Sequence, residues 1–272
     1  MPLYLNFHTH RLTLEGEITL PSFGLHPWHL AEQLQNLPSP NLGKKKTLPS
    51  PTLGKKTLPS PSPGKKALPS PSPGKKTLPS PSLVGREWSP IEIEESLYCH
   101  IQSAFPQPLG TSRRSTHQEG ESEREPGAFW LIGECGLDRL CDTPYPLQLA
   151  AFEAQISLSE RLRRPLVLHC VRAVDDVLRL HRSTTQPWVW HGFRGKPQQM
   201  QQLLQHGFYL SFGFHFNAES LCTCPAERLF LETDDDPRPV ADLYATAADL
   251  RHTTPATLNQ QCWDNLMSMH NV

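Results

Sequence analysis

The chain has 272 residues, 26 Lys+Arg against 27 Asp+Glu, a formal net charge of −1 and 37% hydrophobic residues, a length that suits one or two domains, a single α/β barrel among them. No apolar run approaches the 18 or so residues a membrane span needs, and the opening MPLYLNFHTHRL is too short and polar for a secretory signal. Seven scattered Cys make no disulfide framework, so the expectation is a reduced, cytoplasmic protein with no membrane partner.

From the N-terminus, the apolar run LYLNF leads into His8 and His10. The composition then changes. Nine of the ten Lys lie between Lys44 and Lys76, and no acid lies between Asn36 and Gly85, so the net −1 divides into a +9 segment and a −10 remainder. A Lys-, Ser- and Pro-rich unit recurs from Gly43, Gly54, Gly64 and Gly74, a period of eleven and then ten residues. That period and composition match no solenoid. Pro removes backbone donors and disfavours helix in the residue before it, and each repeat has one Leu to bury. Residues 36–86 therefore read as a disordered, partly polyproline-II insertion in a surface loop, whose length adds little closure entropy. The alternative is a working role, with Lys pairs gripping phosphates or LPSP units docking in an aromatic groove. The polar stretch 106–127 reads as a second loop. Without both, about 200 residues remain, enough for one substantial core.

Further on, AFWLI leads into Gly133 and Glu134, PLVL into His169 and Cys170, PWVW into His191, and RLFL into Glu232, Thr233 and Asp234, while FYLSF precedes Gly213. Their length and composition predict buried strands. Helical patterns lie between them. Leu147, Ala150, Ala151, Ala154, Leu158 and Leu162 recur at spacings of three and four, and Val174, Val177, Leu178 and His181 repeat this more briefly. Pro197 to His206 begins with Pro and stops before Gly207, and Pro239 to Arg251 and Pro255 to Met269 each have Pro at the entry. Alternation of strand and helix predicts a parallel sheet with crossovers.

His8, His10, Glu134, His169, His191 and Asp234 all fall at the C-terminal ends of apolar runs. In a parallel barrel those ends share the face that carries chemistry. His8 and His10, two apart, share one side of an extended strand. Any one of these residues alone reads as an ordinary rim or core residue; together they read as a site for one or two divalent metals. The set needs no Cys, so it is not a Cys-type structural zinc site. Imidazole and carboxylate ligands suit Zn, Mn, Mg, Fe or Co. Two ions bridged by a carboxylate would bring a bound water towards neutral pKa, which makes the reaction class hydrolysis. Glu134, between the other ligands in chain order, is the candidate bridge, and Asp234 is a metal ligand or the base that orients water.

The segments HTH at 8–10, GLHPWH at 24–29, GECGLD at 133–138, LHC at 168–170, HGF at 191–193 and LETD at 231–234 resemble, in order, the TatD family of metal-dependent deoxyribonucleases. The resemblance covers residues 1–30 and about 128–271, the tail LRHTTPATLNQQCWDNLMSM resembling the family's closing helix. It implies one domain over 1–272, a distorted (β/α) TIM barrel of the amidohydrolase-like type, carrying the 36–86 insertion and the 106–127 loop. It implies two divalent ions (Mg, Mn, Zn or Co), one held by His8, His10, Glu134 and Asp234 and the other by Glu134, His169 and His191. The implied activity is metal-dependent cleavage of DNA, often as an exonuclease, by a chain compatible with a monomer.

Three departures stand out. Asn6 replaces the family's usual Asp, and its amide can accept a hydrogen bond from a ligand imidazole without supplying charge. Arg139 follows GLD where an aromatic is common. Only thirteen residues separate His10 from Gly24, where the family has a helix and a strand, so the first unit is shortened and the barrel need not be complete.

Among other residues, the resemblance makes His26 a contact to substrate or phosphate, with a rim turn as the alternative. Arg194 suits bidentate phosphate binding or a rim salt bridge. Asp138 reads as an orienting residue, His29 as a surface residue, His215 as packing, and Cys222 and Cys224 as free thiols. Trp28, Trp130, Trp188 and Trp190 read as core or rim packing, although an exposed one can stack a base. The leading expectation is hydrolysis of phosphodiesters at DNA ends. The alternatives are a small-molecule ester, lactone or amide hydrolase on the same scaffold, and an interaction protein working through the Lys-Pro repeats. The −10 remainder argues against gripping long duplex DNA.

Overall fold

The computed structural model describes residues 3–10, 14–38, 88–104 and 130–270. Apart from residues 36–38, the repeat segment lies outside them, as does the 106–127 stretch. The chain opens with β1 (Tyr4–Asn6), β2 (Glu17–Thr19), β3 (Ser22–Phe23), α1 (Leu30–Asn36) and α2 (Pro90–Ala104). Strand and helix then alternate as β4 (Leu131–Asp138), α3 (Tyr145–Leu162), β5 (Leu166–Val171), α4 (Val174–His181), β6 (Trp188–Trp190), α5 (Pro197–Gln205), β7 (Tyr209–Phe212), α6 (Ala218–Thr223) and β8 (Leu229–Leu231). The helices α7 (Val240–Leu250) and α8 (Pro255–His270) follow.

Strands β3 to β8 pair in chain order, all parallel, as alternating strands and helices require. A second, two-stranded parallel sheet joins β1 to β2. Only Leu20 and Pro21 separate β2 from β3, so one bent segment pairs first with β1 and then with β4. On the other side, the Phe7 N–H donates to the Leu231 carbonyl at 3.0 Å and the Asp234 N–H to the His8 carbonyl at 3.1 Å. The strands thus run nearly round as a distorted (β/α) barrel, although the described ladders form two sheets rather than one closed one. No helix separates β1 from β2 among the described residues, in line with the shortened first unit.

The strands are buried because both faces are covered. All eight residues of β4 are buried, as are all of β6, β7 and β8. Phe7 packs on Phe230 with ring centroids 4.4 Å apart, and Trp188 meets Phe152 at 5.4 Å. Proline near the start and a left-handed residue at the end bound α3: its C-cap Arg163 has φ 52° and donates its N–H to the Ser159 carbonyl. A capping box opens α2, where the Ser89 N–H donates to Glu92 Oε2 at 3.0 Å and the Glu92 N–H to Ser89 Oγ at 3.3 Å.

One strand runs further than its apolar residues suggest. GECGLD belongs wholly to β4, so Glu134 is a mid-strand residue rather than a residue just past the strand. The register shifts between Ile132 and Cys135, and Gly136, at φ 136°, faces His169 in the ladder with β5. A side chain at Gly136 would collide with the His169 carbonyl, so glycine lets the two strands approach there. With period two, Glu134 and Asp138 point to the same face of β4.

Candidate metal centre

Every predicted ligand meets the others at the C-terminal end of the parallel strands. His8 and His10 follow β1, Glu134 lies in β4, His169 in β5, and His191 and Asp234 follow β6 and β8. The carboxylate of Glu134, 6% exposed, is the hub. Its Oε2 lies 3.0 Å from His8 Nε2 and 3.0 Å from His10 Nε2. Its Oε1 lies 3.0 Å from His26 Nε2, 3.0 Å from His169 Nδ1 and 2.6 Å from His191 Nε2. Asp234 Oδ1 stands 3.5 Å from His10 Nε2.

Nitrogen faces nitrogen as well as oxygen in this cluster. His8 Nε2 is 3.2 Å from His10 Nε2, and His169 Nδ1 is 3.2 Å from His191 Nε2. Two neutral imidazoles presenting lone pairs at that distance repel. Ions held by nitrogen and oxygen donors at about 2.1 Å place neighbouring ligand atoms about 3.0–3.4 Å apart, which is the spacing seen here. Three overlapping groups have donor atoms all within 4.8 Å of one another: His8, His10 and Asp234; His8, Glu134 and His191; and His26, Glu134 and His169. The donor set fits divalent metal.

The electrostatics keep the hub anionic. Burial would raise the Glu134 carboxyl, but the charge of His191 and hydrogen bonds from His10, His169 and His191 outweigh it and hold the group far below the usual carboxylate range. Burial would lower His191, yet Glu134 and Glu232 hold it well above the ordinary imidazole value. Burial raises Asp234, and the charges of Glu232 and Glu134 add to that rise against the opposing His191. Of the two carboxylates in the cluster, Asp234 is the one moved towards accepting a proton.

A second layer fixes the rings. Asp138 Oδ2 lies 3.2 Å from His169 Nε2 and also accepts the Trp28 indole N–H at 2.5 Å. Glu232, 0% exposed, faces His191 Nδ1 at 3.3 Å. A carboxylate behind each imidazole sets its tautomer and direction. Asp138 thus sits where an orienting residue should. Glu232 was not singled out from the sequence, although it lies two residues before Asp234 in LETD.

Other expectations divide. His26 is closer to the centre than a rim residue, with Nε2 on Glu134. Arg194 is exposed, lies in a neighbouring cavity of about 530 Å³ and makes no salt bridge among the described residues. Asn6 corrects the expectation placed on it. Among the described residues it has no hydrogen bond to the clustered imidazoles; its amide donates to Glu17 Oε2 and Thr233 Oγ1, and its Oδ1 accepts the Thr233 N–H at 3.0 Å. Arg139 binds Asp176 at 2.6 Å and lies over the Tyr145 ring. His29 and His215 are exposed, so the packing read for His215 is absent. All seven Cys are free thiols. Trp130, Trp188 and Trp190 are buried, whereas Trp28 is 58% exposed.

A histidine–carboxylate cluster that could hold a metal ion sits at the C-terminal ends of parallel strands on a barrel-like α/β scaffold. The family profile described as "TatD related DNase" matches residues 8–271, and the chain belongs to that family. The 3'-5' ssDNA/RNA exonuclease TatD of Klebsiella pneumoniae is 39% identical over 129 residues, covering 41% of this chain and 46% of that protein. The human 3'-5' RNA nuclease TATDN2 is 35% identical, over 41% of this chain and 16% of its own length. The chain therefore matches less than half the length of either relative. The crystal structure of the Escherichia coli TatD homologue YjjV is 24% identical with a TM-score of 0.48, covering 68% of this chain and 72% of the other. No helix among the described residues is long and apolar enough to cross a membrane.

Proposed function

We propose that the chain is a two-metal hydrolase that cleaves phosphodiester bonds at the ends of single-stranded nucleic acid, as its relatives are named for doing. One observation carries the reading: the two oxygens of Glu134 face separate imidazole sets, His8 with His10 on one side and His26, His169 and His191 on the other. His8, His10, Asp234 and Glu134 would hold one ion, and Glu134, His169 and His191, with His26 beside them, the other. Divalent ions bound there supply Lewis-acid stabilisation of the charge that develops on phosphate oxygens and acidify water in contact with them.

The residues supply the rest. Asp234, part-buried and raised above its ordinary pKa, takes the proton of the attacking water at a carboxylate oxygen. Glu134 stays ionised, and its two oxygens would help to hold the ions. Asp138 and Glu232 hold His169 and His191 in register. Arg194, exposed at the adjoining cavity, pairs with a phosphate of the bound strand. The protein works as a cytoplasmic monomer, and residues 38–83 are dispensable to the site.

The test is a nuclease assay on metal-reconstituted protein with end-labelled single- and double-stranded oligonucleotides and Mg, Mn, Co or Zn. Metal-dependent shortening from the 3′ end, lost in Glu134→Gln/Asp234→Asn, is the expected result. About two bound metals per chain with no cleavage would overturn the nucleic-acid substrate, and no bound metal would overturn the mechanism. Deletion of residues 38–83 should leave metal content and turnover unchanged.

A further inference from the structure

We propose that Trp28 is the platform on which the terminal base of a single strand stacks as its phosphodiester enters the metal centre. The inference rests on the nucleic-acid reading above and names a residue that would select for a base-bearing end.

Large aromatic side chains are normally hidden. Trp130, Trp188 and Trp190 are at most 5% exposed, but Trp28 is 58% exposed. Its indole is nevertheless fixed. The ring N–H donates to Asp138 Oδ2 at 2.5 Å, and the backbone N–H donates to His26 Nδ1 at 3.1 Å. The ring meets His26 and His169 edge-on, with centroids 5.4 and 5.6 Å away. An exposed ring anchored by a buried carboxylate keeps its plane, and a fixed plane lowers the entropy lost on stacking.

Its position gives the occupant. Trp28 lines both the 770 Å³ cavity around Glu134 and the 530 Å³ cavity that contains Arg194. A strand passing between them brings its scissile phosphate to the histidines, its next phosphate towards Arg194, and a base over Trp28. The Asp138 carboxylate that binds the indole also accepts the Leu140 N–H at 2.7 Å, and Leu140 is 60% exposed, so a second apolar residue is tethered to the same anchor.

Charge points the same way. Outside the repeat segment the chain has a single Lys, Lys196, and a net −10, so phosphate attraction is weak. Stacking is the affinity source that needs no positive charge. It is worth about 1–3 kcal/mol per base and tolerates any sequence, because every base has a π-face.

The experiment compares full-length wild type, Trp28→Phe and Trp28→Ala, at matched Mn²⁺ content, on two single strands differing only in the terminal residue, a nucleotide or an abasic deoxyribose. Wild type should prefer the base-bearing end by about ten- to a hundredfold in kcat/KM. That preference should shrink in Trp28→Phe and fall near one in Trp28→Ala. An equal preference in all three, or none in wild type, overturns the proposal. If wild type cleaves neither strand, the function proposed above fails and stacking is judged by binding. A strand ending in 2-aminopurine, titrated with Ca²⁺ present, should be quenched by wild type and not by Trp28→Ala. Equal quenching, or none in either protein, overturns the platform.

Discussion

The Asn6 side-chain amide donates to Glu17 Oε2 at 3.2 Å, and this bond explains why the position carries an amide. Asn6 is 0% exposed and Glu17 8%. The same amide reaches Thr233 Oγ1 at 2.9 Å, and the second oxygen of Glu17 accepts the Val240 N–H at 2.8 Å. One buried network therefore ties β1 to β2 and to the segment after β8, at the seam that brings the strands round. An Asp at this position would set two carboxylates against each other out of water. Asn6→Asp should lower the unfolding free energy by about 2–4 kcal/mol, read by urea denaturation, and Asn6→Asp/Glu17→Gln should recover most of the loss. Additive losses in the double variant would show that the two residues do not interact.

The carboxylates behind the imidazoles should matter for metal rather than for folding. Glu232→Gln and Asp138→Asn keep the shape of each side chain but remove the charge behind His191 and His169. Each should weaken metal binding by about 10- to 100-fold, measured by calorimetric titration. Glu232→Gln and Asp138→Asn should both act on the His169–His191 side, leaving an ion between His8, His10 and Asp234 bound.

The clustered histidines and carboxylates were legible in the sequence because each stands at or just past an apolar run, and parallel strands bring those ends to one face. The long helices were legible for a similar reason: Pro at the entry and apolar residues at three- and four-residue spacings are local signals. What escaped lies across the sheet or is too short to carry a period. The strands β2 and β3, of three and two residues, show no alternation to read. Helix α2, beside the repeat segment, carries its own local signal in the capping pair Ser89 and Glu92. Glu232 gains its role only when β6 places His191 opposite it. Asn6 stands two residues before His8, where the family resemblance makes it a partner of an imidazole, and the fold turns it towards Glu17 instead.

Gly136 tests how closely β4 and β5 must approach to place Glu134 and His169. It has φ 136°, a region that side chains avoid, and a Cβ there would meet the His169 carbonyl. Gly136→Ala should cost about 3 kcal/mol or more. Thermal melting would show it, and metal affinity should fall in the fraction that folds, because the strand carrying His169 must move away. An alanine variant with wild-type melting and metal binding would mean the two strands do not need this contact.

Asp176, in the first turn of α4, gives a pH test away from the metal centre. Its carboxylate accepts the Tyr145 hydroxyl at 2.5 Å, Arg179 at 3.1 Å and Arg139 at 2.6 Å. The Tyr145 hydrogen bond, with those of Arg179 and Arg139, lowers its pKa below the ordinary value of 3.8. Burial and the same carboxylate push the Tyr145 phenol up, so it remains a donor at neutral pH. A carboxyl depressed in the folded state contributes stability that is complete above its unfolded pKa and disappears as pH falls through its folded one. Tyr145→Phe removes one donor and should lose about 1 kcal/mol at pH 7. As pH falls below about 4, protonation of Asp176 removes the advantage from the wild type as well, and the two stability curves should converge. Urea denaturation at steps from pH 7 to pH 3 measures this. A gap between the curves that stays constant over that range would mean the Tyr145 hydroxyl stabilises the fold without acting through the Asp176 charge.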